Sequence, residues 1–237
     1  MVRLIYSRWL RTKRTPFRVM WLGSPIIFGS LFGAYLRMSD ILMGQELLFF
    51  YTILGVIAGF SLSLFIPLLY EPDRQAGYFV YDLCSGVSRK WIFLSQFLLL
   101  IGMVVVIILV ASGVFLLFMI GDRAIALVSY LRYGGLLLVT LLLLIPIFQM
   151  LSLKFGLATS VLFGSFNTLL SLLFGTTELG GAMSDFLPTI WHVRLMYTVS
   201  DDHSGLFAIY SLVMVIGLLL ISMIWYNKWE NRTHEGG

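Results

Sequence analysis

Few side chains in this sequence have the type and spacing to do chemistry. His192 and His203 stand eleven residues apart, with no cysteine and no clustered carboxylate to complete a metal-ligand set. Asp201-Asp202-His203 could weakly attract a cation, but it reads first as a solvated turn. The single Cys84 excludes an intrachain disulfide. There is no GxxxxGK[ST] phosphate loop, no HExxH, no GxSxG and no cysteine pair. The chain is therefore expected to be non-catalytic, with no metal or cofactor and no ATP or Mg of its own, and energy, if used, must come from a partner.

Two constellations remain. Ser160, Gly164, Asn167 and Ser171 recur at steps of four, three and four, which places them on one small, polar helical stripe. In an apolar segment that stripe should face protein, because an unpaired amide in hydrocarbon costs several kcal/mol. It is either a helix–helix seam or part of a substrate path. The second constellation lies in residues 71–90, expected to be the only sizeable cytoplasmic loop. There Pro72-Asp73 can start a short helix with Asp73 as N-cap, Tyr78, Phe79, Tyr81, Asp82 and Leu83 can form its body, and Ser85-Gly86 can end it. Such aromatics suit either a docking knob for a cytoplasmic partner or a connector resting on the membrane.

The elements that carry these residues follow from composition. Of 237 residues, 59% are hydrophobic and 12% charged, against roughly 45–50% and 25% in soluble domains. So few charges could not cover a water-soluble surface, and lipid must be the main solvent. Six apolar segments, 19–36, 47–70, 91–120, 134–153, 157–175 and 206–226, contain no Asp, Glu, Lys or Arg. Each approaches or exceeds the ~20 residues that cross a bilayer as a helix, and none alternates as a barrel strand would. The first reads as an uncleaved anchor, and the third is long enough to tilt, project, or bend near Ser112-Gly113. Only Lys154-Phe155-Gly156 separates the fourth from the fifth, which predicts a tight hairpin with Gly156 as its turn. The expected fold is all-α: one polytopic domain over 1–237 with six transmembrane helices.

Orientation follows from the basic residues. With the N-terminus inside, Arg3, Arg8, Arg11, Lys13, Arg14, Arg18, Arg74, Arg89, Lys90, Lys154, Lys228 and Arg232 are cytoplasmic, and only Arg37, Arg123, Arg132 and Arg194 are external. Twelve against four predicts that both termini face the cytoplasm. The net charge of +4 then reflects topology and anionic lipid, and requires no nucleic acid. Residues 1–18 should form an interfacial amphipathic helix broken by Thr15-Pro16, with Arg3, Ser7, Arg11, Arg14 and Arg18 on one face and Val2, Ile5, Tyr6 and Trp9 opposite. Trp9, Arg11 and Arg14 are its expected anchors. The external loop 176–205 is partly apolar and should dip into the outer interface, with Trp191 at headgroup level. Gly29/Gly33 and Gly55/Gly59 form GxxxG pairs that permit close helix approach.

With these pieces in place, the chain resembles an ABC transporter permease of the type-2 export class. The residues that carry the likeness are Leu10-Arg11-Thr12-Lys13-Arg14-Thr15-Pro16, the external Leu187-Pro188 with Trp191, and the final Trp225-Tyr226-Asn227-Lys228-Trp229-Glu230-Asn231-Arg232. Their details look like the lantibiotic-immunity permeases of Gram-positive bacteria. The resemblance implies a cytoplasmic ATP-binding partner, a second permease subunit, a coupling helix within 73–86, and a lantibiotic or similar antimicrobial peptide as cargo. Some related permeases place a Lys near Gln96, where this chain has none. Two other functions compete: a permease of the same fold for another lipid, drug or peptide, and a non-transporting membrane sensor or anchor. The absence of any ionisable residue in the six segments argues against a self-powered carrier.

Overall fold

The computed structural model describes residues 2–11, 17–38, 42, 44–75, 88–119, 127–177, 179, 187–197 and 204–228, and no strand occurs among them. Six helices are long and apolar enough to cross a membrane. In hydrocarbon every backbone N–H and C=O must be paired within its own segment, and an uninterrupted helix achieves this for long runs of Leu, Ile, Val and Phe.

Helix α1 (Val2–Arg11) precedes the first long helix, α2 (Phe17–Met38). Then follow α3 (Glu46–Gln75), α4 (Arg89–Met119), α5 (Leu127–Phe155) and α6 (Leu157–Thr176). A 3-10 turn (Pro188–Ile190) leads directly into α7 (Trp191–Tyr197), and α8 (Ser204–Lys228) is the last long helix. The expected hairpin is present. Gly156 alone separates α5 from α6, with φ of 86°, a conformation that side chains rarely adopt. The Arg74 guanidinium lies directly against it, where a Cβ would stand.

Helices α3 and α5 form the centre, with 56% and 67% of their apolar spans buried, whereas only 17% of α8 is. Helix α2 packs on α4 through Gly29 and Gly33, whose missing side chains admit Val114 and Phe118. Helix α1 rests against α4, with Ile5 and Trp9 half-buried and Tyr6 exposed. Trp9 meets Trp21 edge-on at 5.6 Å and lies beneath the Arg18 guanidinium at 4.2 Å. Arg14 and the side chain of Arg11 lie outside the described residues.

Two expectations change. Pro72 and Asp73 do not start a new helix; they belong to the last turns of α3, which runs to Gln75. Tyr70, just before them, anchors that end. Its hydroxyl donates to Gln96 Oε1 of α4 at 2.8 Å and accepts from Gln149 Nε2 of α5 at 2.9 Å, so packing holds the chain helical past the proline. Residues 176–205 are not simply a loop, since they contain the 3-10 turn and α7. The third crossing is helical without a break through Ser112-Gly113, over 31 residues in all. Tyr78, Phe79, Tyr81, Asp82, Leu83 and Cys84 lie outside the described residues.

Candidate functional site

The polar stripe on α6 is buried along its length: Ser160, Gly164, Asn167, Ser171 and, one further step along, Gly175. Its two halves meet different neighbours. Toward the Gly156 hairpin, Ser160 Oγ donates to the Ser63 carbonyl of α3 at 3.0 Å, and Gly164 leaves room for the Ser63 side chain, which a Cβ there would strike. Toward the other end, Asn167 Nδ2 donates to the Thr189 carbonyl at 3.3 Å, and a Cβ on Gly175 would stand 2.8 Å from Val193 Cγ1. Ser171 Oγ returns to the Asn167 carbonyl at 2.7 Å and fixes the local rotamer. One half of the stripe thus packs on a spanning helix and the other on residues 187–197.

Those residues enter the bundle. Leu187 is extended, Pro188 supplies the first position of the 3-10 turn, and Ile190 N–H donates back to the Leu187 carbonyl at 3.2 Å. Ile190, Trp191, His192, Val193 and Met196 are all buried, packed among α3, α5 and α6. Asn167 lies nine residues from the α6 end at Thr176, so the Thr189 tip reaches roughly 14 Å down the helix axis. Irregular backbone at such depth is tolerated only where protein encloses it. The second GxxxG provides that enclosure. Cβ atoms on Gly55 and Gly59 would stand 2.8 Å from the His192 carbonyl oxygen and 2.9 Å from its Nε2. That glycine pair therefore receives the backbone and ring of α7, with Leu137 of α5 also packed against Gly55.

Trp191 is 2% exposed, with Tyr210 of α8 at 5.4 Å and Phe207 at 6.5 Å between ring centroids. The expectation that it sits among headgroups is corrected: the turn at Pro188 draws it inward, and α8 closes over it. His192 is 1% exposed and its Nδ1 has no hydrogen-bond partner. Burial pushes the imidazole down to about 4, opposed to a lesser degree by the Thr189 backbone beside it, so the ring is neutral at ordinary pH.

The constellation can hold or release a structural element. It pairs no nucleophile with a base, and among the described residues no group of three His, Cys, Asp or Glu could hold a metal. His192 was legible in the sequence only as an isolated histidine. The signal for its position was the apolar run around it combined with a glycine pair on α3 that needed a partner. No family model matches the chain, and no curated protein or solved structure is significantly similar to it.

Proposed function

We propose that this chain is the permease subunit of an ATP-driven exporter that removes a lantibiotic-type antimicrobial peptide from the membrane of the cell that carries it. It would lie in the cell membrane with both termini in the cytoplasm, paired with a second permease and served by a separate ATP-binding subunit. The observation that carries the reading is the combination of six apolar helices with no charged residue in the segments 19–36, 47–70, 91–120, 134–153, 157–175 and 206–226. A coupled carrier usually needs one or more carboxylates at membrane depth, and His192, which is brought near that depth, is held neutral by burial. With no phosphate loop of its own, the subunit must take its energy from a partner. The resemblance to lantibiotic-immunity permeases supports the cargo.

Residues 71–90 are the natural contact for that partner, because they form the longest polar stretch on the side of the Gly156 hairpin. Knob-like docking concentrates energy in one or two aromatics, each worth about 2 kcal/mol, or roughly a thirtyfold change in affinity. Tyr78→Ala combined with Phe79→Ala should leave membrane insertion intact while abolishing ATPase co-purification and peptide resistance. Asp82→Ala should do less, since a rim charge contributes little. Unchanged co-purification and unchanged resistance would remove the coupling assignment.

A further inference from the structure

Three helices share one polar contact inside the bundle. Tyr70, Gln96 and Gln149 are closed off from the surface, at 2%, 0% and 0% exposed. Each lies five to seven residues from the end of its helix on the side of the Gly156 hairpin: α3 ends at Gln75, α4 begins at Arg89 and α5 ends at Phe155. The three side chains therefore form one layer, roughly 8–10 Å inside those ends. Its hub is the Tyr70 hydroxyl, which donates to Gln96 Oε1 at 2.8 Å and accepts from Gln149 Nε2 at 2.9 Å. Gln149 Oε1 has no hydrogen-bond partner, so this amide is tied to another helix through Tyr70.

We propose that this layer is the joint that passes motion of residues 71–90 into the bundle, with Tyr70 as its positioning residue. The inference rests on the exporter reading, in which those residues meet the ATP-binding subunit. Three observations support it. Residues 71–90 leave from α3 and return on α4, so the bond from Tyr70 to Gln96 ties the two stems of one segment, and they cannot part while it holds. Gln149 adds α5, which has the largest buried share of the six long helices, 67%. Gly156 joins α5 directly to α6, so a displacement of the joint reaches the helix whose Asn167 holds the Thr189 turn. Finally, no water stands ready at this depth to replace the bonds, and parting the helices would strand a hydroxyl and two amides. The layer therefore moves as a unit. Apolar side chains could fill the same space without that penalty; what the polar layer adds is direction, because each bond fixes the register of two helices.

The test uses the whole complex, this chain with its second permease and its ATPase, reconstituted in vesicles with a fluorescent lantibiotic-type peptide in the membrane. The readout is peptide released per ATP hydrolysed. Tyr70→Phe keeps the buried ring and removes both bonds. It should leave ATPase co-purification and hydrolysis in place, unlike Tyr78→Ala with Phe79→Ala, and lower the ratio roughly tenfold, the effect of one to two neutral hydrogen bonds. Tyr70→Phe combined with Gln96→Leu and Gln149→Leu also removes the stranded amides. This triple variant should regain the thermal stability that Tyr70→Phe loses, yet keep the low ratio. Recovery of the ratio together with stability would make the layer a packing feature and overturn the proposal. A normal ratio in Tyr70→Phe would overturn it as well, and so would loss of ATPase co-purification in both variants, which would assign the layer to docking. If the unaltered complex hydrolyses ATP and releases no peptide, the exporter reading itself falls, and the proposal with it.

Discussion

The His192 ring occupies the place where a side chain on residue 59 would be: a Cβ on Gly59 would stand 2.9 Å from its Nε2, and one on Gly55 would stand 2.8 Å from its carbonyl oxygen. Two glycines one turn apart on α3 therefore form a socket for α7. The Asn167 amide holds the preceding turn by the Thr189 carbonyl from the opposite side. The polar stripe and the glycine pair are two sides of one docking site.

Filling the socket should eject the segment. Gly59→Leu forces the ring or the helix to move, at a cost of about 1–3 kcal/mol for overpacking. In a Cys84→Ser background, a cysteine at the buried Val193 should then react with a thiol reagent roughly tenfold faster or more. An unchanged rate would show that α7 is held by something other than this socket.

Acid should loosen the same contact. The docked imidazole titrates at about 4 and a free one at 6.5, so between those values the undocked state binds more protons. Stability is thus fully present above pH 6.5 and falls as pH drops toward 4. Thermal unfolding of the purified chain should show this decline, and His192→Gln should flatten it. Parallel profiles for the two proteins would exclude His192 as its source.

Asn167→Leu should weaken assembly of the transport complex or peptide resistance more than Thr168→Leu. Asn167 reaches across to Thr189, whereas Thr168 Oγ1 bonds only to the Gly164 carbonyl of its own helix. Losing a cross-element bond and leaving the Thr189 carbonyl short of a partner costs about 1–3 kcal/mol. Equal effects of the two changes would deny the stripe any special part.

The spans were legible because their signal is one-dimensional. Membrane thickness fixes the length of an apolar run, and the expected 157–175 and 206–226 lie within two residues of the observed helices at both ends. Gly156 was readable for a similar reason, since only a turn can join two crossings over three residues. The C-terminal end of α3 was not. Pro72 suggested a break, but the bonds from Tyr70 to Gln96 and Gln149 come from helices distant in sequence and override the local cue. The burial of Trp191 and His192 was not legible for the same cause. A segment of seven residues has no length signature, and its burial depends on glycines more than 130 residues away.

Topology supplies a further expectation. Single cysteines replacing Lys154 or at either terminus should be shielded from an impermeant reagent added to intact cells, while those replacing Asp40, Asp122 and Asp201 should react, as the basic bias requires. Labelling of residue 154 from outside would reverse the orientation of the α5–α6 hairpin.

The central claim is that this chain moves an antimicrobial peptide using work done by another subunit. It is tested most directly by the amount of a fluorescent lantibiotic-type peptide retained in membranes of cells that carry the chain, its second permease and its ATPase. The account predicts that retained peptide falls only when this chain and an ATPase with an intact phosphate-loop lysine are both present, and that Tyr78→Ala with Phe79→Ala restores it to the level of cells without the chain. Retention that is the same with and without this chain, while the ATPase remains active, would contradict it.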